Sequence, residues 1–353
     1  MNEMKSRLRR RRLPIVLACA AAVATLAACG PNSGAAPGKG GGGNITIGKA
    51  VDTIGFTTVD VAKAKGYFAK EGVNVNEELL SGSSTAFAAL ESGSVNFVTA
   101  SSTALLSAKE KGLPLEAVAS LDYGVSLQLL VSDNWIKSHG LSPNLPLATV
   151  MKKLVGAKLG VISTTDLAYD HYLEEQAGVS SSKFTYINVD SQSAALAAVK
   201  YGEIDAFLLS PPSTYYAQSQ GGAKVIASLH EVPTLANMAY DILVVDSNWA
   251  KSHASEVSAV ATAMAMADNA MSSNPQSVLD AEKQHYPTMS SSVLLDSLQH
   301  VTFASDGFFT QNMWQEAFNE FNHTENDSAA HVSVSAASGV WTNQYIQKSK
   351  MSG

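Results

Sequence analysis

The 353-residue sequence predicts an α/β protein built from two similar lobes, each with a mixed, mainly parallel sheet. Two pairs of internal repeats support this prediction. The first pair is STAFAALESGSVNFVTAS at residues 84–101 and SAALAAVKYGEIDAFLLS at residues 193–210. The second pair is VSDNWIKSH at residues 131–139 and VDSNWAKSH at residues 245–253. Two similar lobes predict a cleft between them, and such clefts hold small ligands.

Each copy of the first repeat predicts a helix followed by a buried strand. The Ala-rich segment favours a helix, and Gly93 or Gly202 supplies its C-terminal cap. The apolar run that follows is typical of a buried parallel strand. In each copy of the second repeat a strand ends, and an Asp, Ser and Asn cluster caps a helix that opens with Trp. Chance similarity between common βαβ units is the alternative, and it also gives an α/β protein.

The other elements follow the same alternation from residue 44. Further strands are expected at residues 45–51, 73–80, 115–121, 127–131, 158–162, 183–189, 223–229 and 240–246. Residues 52–58 are expected to form a loop. Helices are expected at residues 60–71, at 167–177, after 210, and at 256–270, 275–285, 291–300 and along an amphipathic end to 350. The last helices are expected to cover the first lobe.

The N-terminal segment predicts export and membrane attachment. Residues 1–29 have a basic start, an apolar run too short to span a bilayer comfortably, and the sequence LAAC ending at Cys29. This ending resembles the lipobox of bacterial lipoproteins, whose cysteine thiol receives a diacylglycerol. An ordinary signal peptide with an accidental cysteine is the alternative. Residues 30–43 are a Gly-rich tether, so we expect a lipid-anchored body at the cell membrane, facing outside the cytoplasm.

The charge distribution argues against nucleic acid as a partner. All arginines lie within the first dozen residues, and residues 1–28 carry about +5 of a total of −7. The rest of the chain is therefore acidic, at about −12, and has no arginine. The eight histidines never lie closer than eight residues apart, and no CxxC pattern occurs, so neither a metal nor a cofactor is expected. GxSxG and phosphate-loop patterns are absent, and no enzyme is expected.

Four segments resemble a known family. ITIG at residues 45–48, AKAKGYFAKEGVNVN at 62–76, SGSSTAFAALESGSVNFV at 81–98 and AKEKGLPLEAVAS at 108–120 are similar to the solute-binding proteins of ABC importers. The closest branch is the one for nitrate, sulfonate, taurine and thiamine-precursor uptake, and the similarity extends to about residue 253. Asn96 departs from the family, which more often has aspartate there. The second copy keeps Asp205, and no loss of function is expected.

The resemblance implies the type II periplasmic-binding-protein fold, with two lobes joined by two crossover strands. The first lobe is expected to comprise residues 44–125 and 240–353, and the second lobe residues 126–239. It further implies that the protein captures a small molecule and delivers it to the transmembrane subunits of an ABC permease. A monomer is expected. A secreted enzyme on the same fold, and a sensor or adhesion lipoprotein that has kept the fold, remain as alternatives.

Candidate site residues lie where predicted strands end. Four loops, at residues 81–85, 101–103, 163–166 and 210–213, begin helices with small hydroxyl residues, whose free N–H groups attract anions. Plain helix capping explains each one singly. The resemblance supports Gly55, Phe56, Ser83, Ser84, Ser101, Ser102, Thr164 and Thr165 as cleft residues. To these we add Tyr123 as a stacking face, Asp166 as an acceptor for a ligand amine or a helix cap, and Pro211.

The class of ligand stays open at this point. Without arginine in the mature chain, a ligand held through an α-carboxylate is less expected. A sulfonate-like anion at the helix ends fits the residues. A neutral heteroaromatic, similar to a thiamine precursor, fits equally, because several aromatic residues offer stacking faces. These are Phe56, Tyr123, Tyr169, Tyr215 and Tyr240.

Overall fold

The computed structural model describes residues 44–324 and 339–347. The predicted signal sequence with Cys29, the tether at residues 30–43 and the end of the amphipathic tail lie outside the described residues. Within the described ranges, the longest and most apolar helices still fall short of what a bilayer crossing requires.

The described part contains strands and helices in alternation. The strands are β1 (Asn44–Lys49), β2 (Asn74–Leu79), β3 (Phe97–Ser101), β4 (Leu115–Ser120), β5 (Asp122–Tyr123), β6 (Gln128–Ser132), β7 (Lys158–Val161), β8 (Thr185–Asn188), β9 (Ala206–Leu209), β10 (Ala223–Ser228), β11 (Asp241–Asp246) and β12 (Thr302–Phe303). The helices are α1 (Thr58–Ala64), α2 (Tyr67–Lys70), α3 (Ser83–Glu91), α4 (Ser102–Glu110), α5 (Asp133–His139), α6 (Leu147–Lys153), α7 (Thr164–Gln176), α8 (Gln192–Tyr201), α9 (Ser213–Gln220), α10 (Ser247–Ser252), α11 (Ala254–Ser273), α12 (Leu279–His285), α13 (Ser291–Gln299) and α14 (Gln311–Thr324).

The two five-stranded sheets share one plan. The first has the order β2-β1-β3-β11-β4, and the second has the order β8-β7-β9-β6-β10. In each sheet the fourth strand runs antiparallel to both of its neighbours, and the other four strands point the same way. The antiparallel strand of each sheet lies next to a crossing between the sheets. The structure therefore confirms the predicted α/β fold with two similar lobes, which we name the first and second lobe after their sheets.

The first repeat occupies the same place in both lobes. α3 and α8 are each followed by a glycine in the left-handed region, Gly93 at φ 73° and Gly202 at φ 76°, and then by the central strand. Just before that strand, Asn96 Oδ1 accepts a hydrogen bond from the backbone N–H of Thr46 at 2.8 Å. In the second lobe Asp205 Oδ2 accepts the corresponding bond from the N–H of Lys158 at 2.9 Å. The amide oxygen of asparagine thus accepts the bond that the carboxylate accepts in the other copy.

The second repeat follows the antiparallel strand of each sheet. Trp135 stacks on His139 with ring centroids 4.0 Å apart, and Trp249 stacks on His253 at 4.2 Å. The interplanar angles are 11° and 7°. Ser132 caps α5 and Asp246 caps α10 by accepting backbone N–H bonds from the first helical turn. Both repeats therefore reflect one duplicated architecture rather than chance.

Two local predictions near the N-terminal end of the first lobe were wrong. The segment 52–58, expected to be a loop, contains the 3-10 helix Ile54–Thr57 and the first residue of α1. The helix expected at residues 60–71 is divided into α1 and α2 by Gly66, at φ 71°. A left-handed residue cannot continue a right-handed helix, so the chain turns there before α2 begins.

The C-terminal helices join the lobes as well as covering the first one. α11 and α12 pack on α1 of the first lobe, as expected. α13 instead packs against α9, and α14 packs against both α4 and α7. Trp314 of α14 is fully buried there. The sequence predicted that the C-terminal helices cover the first lobe, and the last two of them contact the second lobe as well.

Candidate ligand-binding site between the two lobes

An inner cavity of about 170 Å³ lies at the carboxyl ends of the parallel strands, and both lobes contribute equally to its wall. Ligands of open α/β sheets bind at such strand ends. The first lobe supplies Val51, Thr53, Phe56, Gly82, Ser83, Ser101, Tyr240 and Asp241. The second lobe supplies Leu127, Ile162, Ser163, Thr165, Asp166, Gln192, Leu209 and Ser210.

The inner cavity adjoins a wider outer cavity of about 590 Å³. Gly82, Ser83, Ser163 and Thr165 line both. The outer cavity is bounded further out by α3, α4 and α7, and its wall includes Tyr169. The two cavities therefore form one cleft that narrows toward the sheet ends.

The duplicated architecture places equivalent positions of the two lobes in the wall of the inner cavity. Most of these positions carry small polar side chains in both lobes, which gives the wall hydroxyl and amide groups on both sides. One pair differs in charge, because a leucine of the second lobe corresponds to an aspartate of the first. The equivalent pairs are Thr53 and Thr165, Ser83 and Gln192, Ser101 and Ser210, and Leu127 and Asp241.

Asp166 is one of two carboxylic acids in the inner wall. It lies in the first turn of α7, where its Oδ2 accepts a bond from the N–H of Ser163 at 2.9 Å and its own N–H donates to Ser163 Oγ at 3.2 Å. This is a capping box. Burial raises the pKa of Asp166 to about 6, while the bonds from Ser163 and Ile162 oppose that rise. The side chain is therefore mostly ionised at pH 7.

Asp241 is the second acid, and it is paired with Asp122 behind the wall. The N–H of Asp241 donates to Asp122 Oδ1 at 2.9 Å, and the two carboxyl groups are adjacent. Burial raises the pKa of Asp122 to about 7 and that of Asp241 well above its usual range. Two adjacent buried carboxyl groups cannot both ionise without a large penalty, so the pair retains a proton near neutral pH.

Gly55 packs directly against this acid pair. A Cβ atom at Gly55 would lie 2.9 Å from Asp122 Oδ2 and would also overlap the carboxyl group of Asp241. Our reading of the sequence missed both acids. The available signal was an aspartate standing in an apolar run at each crossing, in LDYG at residues 121–124 and in YDIL at 240–243.

The loop that carries Thr53 is held from outside the cavity by an ionic network. His285 Nε2 lies 2.8 Å from Asp52 Oδ1, and its Nδ1 lies 2.9 Å from Asp60 Oδ1. These bonds to Asp52 and then Asp60 raise the pKa of His285 to about 9. Lys49 Nζ lies 2.7 Å from Asp60 Oδ2. Asp52 is thus engaged by His285 and by the hydroxyl of Tyr286.

The structure brings about half of the candidate site residues together. Phe56, Ser83, Ser101, Thr165 and Asp166 lie in the wall of the inner cavity. Ser84 lies in the outer wall. Thr164 is the first residue of α7. Their contacts with a ligand stay predictions.

The remaining candidates are not in the wall of the inner cavity. Ser102 is buried, and its Oγ donates to the carbonyl oxygen of Ala239 at 2.5 Å. The carbonyl oxygen of Pro211 accepts a bond from the N–H of Ile54 at 3.0 Å. Tyr123 lies in the wall of a separate cavity of about 360 Å³, because β5 pairs with β12 away from the cleft.

The prediction that no metal is bound was based on sequence motifs, and the structure adds the geometry of the side chains. In the part of the chain that the structure describes, no three His, Cys, Asp or Glu side chains are arranged to hold a metal ion.

Comparison with known proteins identifies a family model and several solved structures that are similar to this chain. The family model described as "NMT1/THI5 like" matches residues 53–278. A protein of Bordetella bronchiseptica RB50 has the same fold with a TM-score of 0.71 and 20% identity, and the match covers 87% of this chain and 96% of that one. No curated protein sequence matches the chain.

Two further solved structures have titles that state a role. The periplasmic aliphatic sulphonate binding protein SsuA of Escherichia coli has a TM-score of 0.64 and 17% identity, covering 85% of this chain and 92% of that one. The periplasmic nitrate-binding protein NrtA of Synechocystis PCC 6803 has a TM-score of 0.65 and 14% identity, covering 87% and 86%. The chain belongs to the NMT1/THI5-like family and shares the fold of the periplasmic solute-binding proteins of ABC importers.

Proposed function

We propose that this protein is a lipid-anchored solute-binding protein, which captures a small organic molecule outside the cytoplasm and delivers it to the permease of an ABC importer. The observation that carries the proposal is the inner cavity, whose wall comes half from each lobe. A ligand there touches both lobes at once, so its binding favours the arrangement in which the lobes are together.

We further propose that residues 44–125 and 240–353 move as the first lobe and residues 126–239 as the second. The changes in backbone angle would fall at the two crossings. Attachment through Cys29 and the tether at residues 30–43 would keep the body within reach of a permease. The proposed ABC role is supported by the structural similarity to a Staphylococcus aureus ligand-binding component of an ABC-type import system, at a TM-score of 0.67.

Of the two ligand classes that the sequence left open, the inner wall favours the heteroaromatic one. Phe56 and Tyr240 offer apolar faces, and Asp166 and Asp241 offer acceptors for ring N–H or amino groups. A sulfonate would have to lie against these same carboxyl groups. The sulfonate class is kept as second candidate because the residue before α3 is Gly82, which has no side chain to cap the helix, and α3 opens with Ser83 and Ser84.

Thermal unfolding of the full chain in detergent tests the proposal. The panel contains pyrimidines, aromatic carboxylates, alkyl and aryl sulfonates, taurine and nitrate. A ligand at a hundred times its dissociation constant stabilises the folded state by about 2.7 kcal/mol. We expect one class to raise the midpoint, and Phe56→Ala to reduce that rise while Phe87→Ala, at the outer cavity, does not.

Other outcomes separate the alternative functions. A compound that is chemically converted would indicate an enzyme on this fold. No stabilisation by any class would contradict the receptor function and favour a sensor or adhesion role. For the anchor, we expect Cys29→Ser to move the protein from the membrane fraction to the soluble fraction, and unchanged fractionation would contradict attachment at Cys29.

A further inference from the structure

We infer that the ligand carries a positively charged nitrogen, of the ammonium or amidinium type, which is held in the inner cavity by the carboxyl groups of Asp241 and Asp166. This inference rests on the proposed function and names the charge class of its ligand. It goes beyond both classes considered above, of which one is anionic and the other neutral.

The first argument for a cationic ligand comes from the charges of the side chains in the inner wall. Asp241 is 5% exposed and Asp166 is 8% exposed, so solvent screens neither carboxyl group well. The sixteen described residues of the inner wall include no lysine, arginine or histidine. A bound anion would therefore meet the ionised Asp166 without a basic side chain beside it. A cation meets complementary charge at Asp166 and also favours release of the proton that Asp241 shares with Asp122.

The second argument comes from buried side-chain oxygens that have no hydrogen-bond partner. Thr53 is 8% exposed and lies in the inner wall, and its Oγ1 has no hydrogen-bond partner. Asp122 Oδ2, behind Asp241, also lacks one. Buried acceptors without partners are costly, and most such groups in proteins are bonded. An ammonium or amidinium group offers several N–H donors and no acceptor. It therefore suits a wall in which the hydroxyl oxygen of Thr53 and the carboxyl groups of Asp166 and Asp241 can accept.

Two of the helix N-termini at the cavity, those of α7 and α8, are capped by side chains, whereas that of α3 is not. Asp166 and Ser163 cap α7 reciprocally, and Ser191 Oγ accepts from the N–H of Ala194 at the start of α8. Each terminus carries about half a positive charge, and a capping carboxylate or hydroxyl satisfies its N–H groups. The termini of α7 and α8 therefore do not cancel the negative character of the wall. Tyr240 in the same wall adds an aromatic face, which attracts cations.

Titration calorimetry with matched probes tests the inference. Benzylamine and benzamidine are compared with benzyl alcohol, benzamide and benzenesulfonate, all on the full chain in detergent. We expect an amine or amidine to bind at least about tenfold more tightly than its neutral counterpart, which corresponds to about 1.4 kcal/mol. Asp241→Asn is expected to remove that preference. Asp166→Asn and Thr53→Val are expected to weaken the preference for the cationic probe. These two variants provide the test if Asp241→Asn does not fold.

The control is Asp205→Asn, a carboxyl-to-amide change outside the cavity, since asparagine already stands at the equivalent position 96. Tighter binding of benzenesulfonate than of both cations would overturn the inference and leave the receptor function intact. A preference for cations that Asp241→Asn and Asp166→Asn both leave unchanged would also overturn it. Binding of none of the five probes would also overturn the inference, whereas the receptor function is decided separately by the thermal-unfolding panel.

Discussion

The backbone N–H of Ile54 donates a hydrogen bond to the carbonyl oxygen of Pro211 at 3.0 Å. Ile54 begins the 3-10 helix after β1 of the first lobe, and Pro211 follows β9 of the second lobe. The bond therefore crosses the cleft beside the inner cavity, and it requires the two lobes to be close together.

This bond predicts a ligand-dependent change in hydrogen exchange. If ligand binding favours the arrangement with the lobes together, the amide of Ile54 exchanges more slowly once ligand is added. The measurement is amide exchange with and without the compound that raises the unfolding midpoint most. The amide of Leu141, bonded to Ile136 at 3.1 Å within the second lobe, serves as control and should not change. Equal rates at Ile54 in both states would contradict the idea.

Gly55→Ala is predicted to destabilise the protein by about 1–3 kcal/mol, the usual cost of overpacking a core. The added Cβ would meet the carboxyl groups of Asp122 and Asp241, which would have to shift to make room for it. Chemical denaturation measures the change. In an Asp241→Ala background the same substitution should cost less, because one of the two obstructing groups is gone. Strictly additive costs would show that the clash is not the cause.

The ionic network around His285 predicts a pH-dependent stability. Its pKa is raised from 6.5 to about 9 by Asp52 and Asp60, so the folded state holds the proton more tightly than the unfolded chain does. The stabilisation is fully present below pH 6.5 and is lost as the pH rises through 9. Thermal unfolding of the wild type and of His285→Gln should therefore converge over this range. His139→Gln is the control, since His139 stacks on Trp135. A constant difference between wild type and His285→Gln would refute this account.

The equivalent bonds of Asn96 and Asp205 predict that the two residue types can be exchanged. Asn96→Asp should change the free energy of unfolding by less than about 0.5 kcal/mol, because either side chain presents an oxygen to the N–H of Thr46. Asn96→Ala removes the acceptor and should cost about 1 kcal/mol. Urea denaturation distinguishes the two. A larger loss for Asn96→Asp than for Asn96→Ala would mean that the bond is not what position 96 contributes.

Local repeats explain why the architecture was accessible from the sequence. A helix, a capping glycine and an apolar run recur 109 residues apart, as Gly93 and Gly202 illustrate, and each copy specifies one helix–strand unit. Parallel strands with their loops at one edge then bring Ser83, Ser101 and Thr165 to a common place. This reasoning needs only local pattern and the general rule on strand ends.

The pairing of Asp122 with Asp241 and the position of Tyr123 could not be predicted from local sequence pattern. Asp122 and Asp241 are 119 residues apart, and they meet only because β11 inserts beside the strands that end at the first crossing. Tyr123 is drawn away from the cleft by the pairing of β5 with β12, a partner almost 180 residues further along the chain. Sequence pattern identifies elements, whereas these contacts depend on long-range pairings that no local signal specifies.

The placement of β11 determines the order in which the two sheets can be completed while the chain is being synthesised. The second sheet draws all its strands from residues 128–228, so it can be completed as soon as that stretch leaves the ribosome. The first sheet lacks its fourth strand until Asp241–Asp246 emerge, and β4 pairs with the rest of that sheet only through β11. The lobe that is synthesised first is therefore the one that finishes last, and during that interval the edges of β3 and β4 stand unpaired.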